Sequence, residues 1–200
     1  MGRIGLLLAL LSSTAFAQAP SEFATCVACH GAQAQGIEAM NAPQLAGQNA
    51  DYLVRQLQGF KTNTRNSADD AIAATMQPMA AMLTEAQMQN LANYLSQLPP
   101  QPTTKAASGD ANRGYKYYQG SCGACHGPKA EGNPMLHAPN LAILSPAYLT
   151  RQYQQFADKK RGFHADDKYG RQMQFMSSAL PDEQTIADVV AFIQSQGVQE

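Results

Sequence analysis

The chain has no tryptophan and little charge: only 14% of its 200 residues are Asp, Glu, Lys or Arg, and the formal net charge is −1. A nucleic-acid-binding protein needs a basic excess, and there is none. Disorder through self-repulsion needs charge of one sign, whereas 14 basic residues nearly cancel 15 acidic ones here. Long apolar runs are missing too. The stretch Ile4–Leu11 is far short of the ~20 residues that cross a bilayer. No segment alternates apolar and polar residues convincingly enough to read as a strand.

What is present at the N-terminus has the order of an export signal: Arg3, the apolar stretch, then Ala15-Phe16-Ala17 as a small-residue cleavage site. Residues 1–17 therefore read as a signal peptide. The mature chain is expected to be exported, to the periplasm in a bacterium, without a membrane span. Exported proteins commonly oxidise their cysteines to disulfides. Here the four cysteines fall as Cys26/Cys29 and Cys122/Cys125, and each pair is followed directly by histidine, His30 and His126.

The two motifs belong to an internal repeat. At an offset of 96 residues, Cys26–Gly31 matches Cys122–Gly127, Gly36 matches Gly132, and Ala42-Pro43-Gln44-Leu45 matches Ala138-Pro139-Asn140-Leu141. Tyr52-Leu53-x-Arg55-Gln56 matches Tyr148-Leu149-x-Arg151-Gln152, and Phe60 matches Phe156. After one inserted residue, Met76-Gln77-x-Met79 matches Met173-Gln174-x-Met176, and Leu83 matches Leu180. The chain thus reads as a duplicated domain, 18–98 and 110–200, joined by a linker over 99–109 that is rich in Pro, Ser and Thr. Both halves read as helical. Helices are expected over Asp51–Phe60 and Ala147–Ala157. Thr84-x-x-Gln87 suggests a capping box with Leu83 and Met88 as staple, and Pro181 suits the first position of the last helix. Such small domains have thin cores and need further stabilisation.

Cys-x-x-Cys-His supplies it. In a helical turn the two thiols share a face, placed to form thioether bonds to the two vinyl groups of one haem, and the adjacent imidazole reaches the iron. Zinc binding would usually gather both pairs in one small module, and thioredoxin-type disulfides would need a strand-and-helix context that is lacking. The sixth iron ligand decides between electron transfer and chemistry at an open site. Methionine is the natural candidate, and spacing alone leaves Met76/Met173 and Met79/Met176 open. Met82 has no partner in the second half. His137 and His164 lack histidine counterparts in the first half and read as surface or loop residues.

These motifs, with Ala42–Gln48 and the Tyr52-Leu53-x-x-Gln56-Leu57 helix, resemble the dihaem cytochromes c4, two class I cytochrome c domains in tandem. The resemblance spans nearly the whole mature chain. It implies an all-α fold and two covalently attached haem c groups, bound through Cys26, Cys29, Cys122 and Cys125. In that family the methionine seven residues before the leucine is the axial ligand, which implies His30/Met76 and His126/Met173 as the ligand pairs. It also implies that the carbonyls of Pro43 and Pro139 accept a hydrogen bond from the ligand histidines.

Two departures stand out. The second half has Gly114, Tyr117 and Tyr118 where the family has its N-terminal helix, while the first half has only Gln18–Thr25 there; its first helix is expected to be short and its domain less stable. Gly47-Gln48 has no equivalent in Ile143-Leu144. Function then reads as electron transfer rather than enzyme catalysis. The resemblance implies a quinol-side donor complex and a haem–copper terminal oxidase as acceptor, with peripheral membrane association allowed. Charge is divided unevenly: Gln18–Pro100 holds three basic and six acidic residues, Gln101–Glu200 ten and nine. That asymmetry could orient docking. Competing readings are the cytochrome subunit of a periplasmic dehydrogenase, such as a sulfide-oxidising flavocytochrome, and a dihaem peroxidase.

Overall fold

The computed structural model describes residues 18–65, 70–103 and 107–197; the expected signal peptide lies outside them. The first half contains α1 (Phe23–His30), α2 (Ala50–Lys61), α3 (Ala71–Ala74), α4 (Met76–Ala81) and α5 (Glu85–Gln97). The second contains α6 (Ala111–Ser121), α7 (Gly123–His126), α8 (Pro146–Ala157), α9 (Lys168–Met176) and α10 (Glu183–Ser195). Among the described residues there is no strand, only the isolated bridges Ile37–Ala42 and Asn133–Ala138 at matching places in the two loops.

The helices begin where side chains can satisfy their free N–H groups. Thr84 and Gln87 form the expected capping box at α5, and Met88 behind it is fully buried. Asp110 caps α6, Ser145 caps α8 with Pro146 at its first position, and Asp167 caps α9. Asp182 caps α10, so Pro181 lies before the helix rather than in its first turn. The reason is chemical: the Asp182 carboxylate accepts from the Thr185 N–H at 2.7 Å, a bond that proline cannot replace.

Each half has its own core. The second is built from Tyr118, Ile143, Leu144, Leu149, Leu180 and one stripe of α10, Ile186 to Ile193. Its central contact is the crossing of α6 and α10. Gly114 lies in that crossing, and a Cβ there would run into the backbone carbonyl of Asp188. Tyr118 and Phe192 stack at 4.9 Å in the same contact. The first core is smaller, with Phe23, Ala34, Ala46, Leu53, Leu91, Ala92 and Leu95. As expected, its first helix is short, eight residues against the eleven of α6. The pair Phe23–Tyr94, at 5.4 Å, takes the place of Tyr118–Phe192.

The α6–α10 crossing also buries a carboxylate. Asp188 has no exposed surface, pairs with Arg113, and accepts from the Asp110 N–H at 2.8 Å. The Arg113 hydrogen bond holds its carboxyl down at about 2. An unfolded aspartate titrates near ~3.9, so the folded state binds its proton less readily. The stabilisation is therefore complete above about pH 4 and is lost as pH falls through about 2. Acid unfolding followed by circular dichroism should show the second domain losing stability across this window. Asp188→Asn should remove that acid-dependent component; an unchanged acid profile would show that the pair is not linked to folding.

Candidate functional site

The two Cys-x-x-Cys-His segments fold alike. Cys26 and Cys29 lie on α1, which ends at His30; Cys122 precedes α7, which carries Cys125 and ends at His126. The next residue reverses the chain: Gly31 and Gly127 take φ of 82° and 81° with ψ near 155°, a region essentially reserved for glycine. Gly36 and Gly132, at φ 80° and 83°, then bring the loop against the following Ala-Pro segment. A Cβ on Gly36 would come within 2.7 Å of the Pro43 carbonyl carbon, and one on Gly132 equally close to that of Pro139.

This close approach sets the histidine contacts. His30 Nδ1 donates to the Pro43 carbonyl at 2.8 Å, and His126 Nδ1 to that of Pro139 at 3.1 Å. Both rings are buried, and burial pulls both imidazoles below the ordinary histidine range. A neutral ring with its proton on Nδ1 leaves the Nε2 lone pair free for a metal. Burial pushes the Cys26 thiol up, and that of Cys122 up to about 11. Among the described residues no three His, Cys, Asp or Glu side chains gather into a metal site, so the two cysteine pairs do not converge on one ion.

The methionine motifs sit on helices packed against the Tyr-Leu helices, α4 on α2 and α9 on α8. Met76 and Met173 are half-buried, whereas Met79 and Met176 are 40% and 38% exposed. His164 is half-buried, 3.7 Å from Asp166. His137 lies in a loop, but at the seam between the halves, stacked on Tyr169 at 4.5 Å.

At the seam, residues of the repeat make contacts that the motifs did not disclose. Arg55 donates to the His137 carbonyl at 2.7 Å, and Arg151 to the Asn41 carbonyl at 2.8 Å. Arg65 reaches the Tyr148 hydroxyl and Gln152 at 3.3 and 3.4 Å; Arg161 reaches the Tyr52 hydroxyl and Gln56 at 3.2 and 2.8 Å. Every pair is related by the 96-residue offset, so the halves grip one another about an approximate twofold axis. The match of Arg65 to Arg161 at that offset was a readable signal. Gln48, which lacks a counterpart, adds an asymmetric lock: buried, it both donates to and accepts from the Asn140 backbone at 2.9 Å. Gln44 likewise donates to the Ile143 carbonyl and accepts from the N–H of Gln101.

The seam also tests whether haem fits. Arg55, Arg65 and Arg161 each have a buried Nε with no hydrogen-bond partner, and no carboxylate among the described residues forms an ion pair with them. Burial pulls Arg55 and Arg65 below the usual arginine range, helped at Arg65 by the charge of Arg161. Burial pushes the Tyr52 phenol up, but the Arg161, Arg65 and Arg55 charges more than offset it. At Arg161 the neighbouring Tyr52 and Tyr148 more than offset burial, yet all three guanidinium groups keep an unpaired Nε that an anion can satisfy. The carboxylates of haem are such anions, and its flat apolar body suits the small cores.

Comparison with known proteins agrees. The cytochrome c family profile matches residues 16–99 and again 111–197. A thiosulfate dehydrogenase electron acceptor of Thiomonas intermedia is 36% identical over 186 residues, covering 86% of this chain and 79% of that protein. Cytochrome c4 of Azotobacter vinelandii is 30% identical over 181 residues, covering 86% and 84%. The crystal structure of reduced recombinant cytochrome c4 from Pseudomonas stutzeri superposes with a TM-score of 0.69 at 27% identity, covering 86% of this chain and 94% of that one.

Proposed function

Since the chain belongs to the cytochrome c family, as a cytochrome c4-like electron-transfer protein with two covalently bound haem c groups, we propose that it is a periplasmic carrier that takes electrons from a dehydrogenase and delivers them to a haem–copper terminal oxidase of a respiratory chain. Its residues 1–17 serve as the export signal. When bound, each haem supplies a one-electron Fe(III)/Fe(II) couple.

The chain's own residues hold that couple with little rearrangement. Cys26 and Cys29 in the first domain, and Cys122 and Cys125 in the second, anchor the two groups. His30 and His126, oriented by the Pro43 and Pro139 carbonyls, would give the iron Nε2, and Met76 and Met173 would give it sulfur. Arg55, Arg65 and Arg161, each with an unpaired Nε, would be available to the haem carboxylates. The observation that carries the reading is the duplicated histidine–carbonyl bond beside each cysteine pair, in two domains locked together. It provides two one-electron sites of like construction on one chain.

The dehydrogenase as donor takes its support from the Thiomonas relative, named as the acceptor of thiosulfate dehydrogenase. The same name also favours a second reading, in which the chain is the cytochrome subunit of such an enzyme; stable co-purification with a dehydrogenase would distinguish it from a free carrier. Stopped-flow mixing of the oxidised holoprotein with thiosulfate and a thiosulfate dehydrogenase should reduce both haems, and membranes containing the oxidase should reoxidise them. Reduction no faster than with thiosulfate alone would sink the donor assignment. Because the halves differ in charge, the rate should depend on ionic strength; a flat dependence would remove steering from the account.

A further inference from the structure

The turns that follow the two methionine helices are closed by different chemistry. In the second domain the α9–α10 turn is longer, six residues between Met176 and Glu183 against three between Ala81 and Glu85. The Tyr153 hydroxyl, on α8, closes it twice. It donates to the Ser177 carbonyl at 2.7 Å and accepts from the Leu180 N–H at 3.1 Å. Ser177 and Leu180 are both buried, so these backbone groups cannot turn to water instead. Burial also pushes the phenol up, which keeps the donated proton in place at neutral pH. The residue at the matching position of the first domain is Leu57, which has no such group. There the turn closes on itself, Leu83 N–H to Ala80 carbonyl at 3.1 Å, and an exposed lysine, Lys61, donates to the Leu83 carbonyl at 2.6 Å.

We propose that Tyr153 is a positioning residue for the second domain's methionine ligand, and that the first domain, lacking it, releases its methionine more readily. The inference rests on the assignment of Met76 and Met173 as ligands. Tyr153 acts through the end of α9: its two bonds fix Ser177 and Leu180, and so limit the swing of the helix that carries Met173. A lysine held at the surface restrains less, because water competes for both the ammonium and the carbonyl. The two iron sites, alike in ligands, therefore differ in how often the sulfur leaves.

The test is imidazole binding to the oxidised holoprotein, followed by loss of the methionine-to-iron charge-transfer band. Methionine departure gates this exchange, so unaltered protein should show two phases, the faster from the first domain. Tyr153→Phe should accelerate the slower phase about tenfold, the loss of one buried hydrogen-bond node, and leave the faster one unchanged. Val189→Ala weakens the same domain in the α6–α10 crossing without touching the turn; it should lower that domain's unfolding temperature but not speed the exchange. A single phase in unaltered protein, equal acceleration of both phases by Tyr153→Phe, or no acceleration of either overturns the proposal. So does a Val189→Ala variant that exchanges as fast as Tyr153→Phe. Met173→Ala separates the two levels: if that variant keeps the second domain's band, the ligand assignment has failed; if it loses the band while Tyr153→Phe changes nothing, only the role of Tyr153 has.

Discussion

Met173→Ala should abolish the methionine-to-iron charge-transfer band of the second domain and leave the first domain's band whole; Met76→Ala should do the reverse. Alanine offers no donor atom, so the iron on that side loses its thioether. Because methionine paired with histidine raises the reduction potential, the altered site should also become harder to reduce. The choice between methionines rests on the resemblance. Met76 and Met79 share α4, and Met173 and Met176 share α9, so the packing of those helices against α2 and α8 does not separate them. Absorption and potentiometric titration of the two single variants give the check: each should retain about half of the band, as one of two similar sites is lost. Full bands in both would move the ligand to Met79 and Met176.

Gly114→Ala should unfold the second domain well before the first. The added methyl group meets the Asp188 carbonyl and, at 2.9 Å, the Val189 nitrogen. Both are backbone atoms of α10, so no side chain can swing away, and the α6–α10 crossing must open. Overpacking of this kind costs about 3 kcal/mol. For a domain of this size that corresponds to a fall of roughly 15 °C in its unfolding temperature. Scanning calorimetry of the holoprotein should resolve the shift. The first domain, whose contact there is Phe23 on Tyr94 rather than a glycine crossing, should unfold as before. An unshifted transition would mean that α6 and α10 can separate at little cost.

Much of the fold could be read directly. The 96-residue repeat, the helices at Asp51 and Ala147, and the capping box at Thr84 are local signals, set by side-chain spacing and by nearby backbone donors. The short first helix was legible because only Gln18–Thr25 stand between the expected cleavage site and Cys26. Pro181 was misplaced because proline fits equally well just before an N-cap, and only the carboxylate of Asp182 decides between the two. The seam was hidden for a different reason. Arg55 and Arg151 stood in the repeat, yet their partners His137 and Asn41 are 82 and 110 residues away, and the bonded atoms are backbone carbonyls that carry no sequence signature. Gln48 was visible only as an exception to the repeat, and its bond to Asn140 explains why the exception exists.

The twofold grip has a consequence for how such a chain can change. In a symmetric dimer of identical subunits, one codon alters both copies of an interface contact, so any loss is doubled and any asymmetry forbidden. Here Arg65 and Arg161, or Arg55 and Arg151, are encoded separately although they do equivalent work. One arm of the grip can drift while the other holds. The residues that break the repeat, Gln48 opposite Leu144 and Tyr153 opposite Leu57, are changes of a kind that only a fused chain can keep. With both halves on one chain, the two redox centres can be changed one at a time.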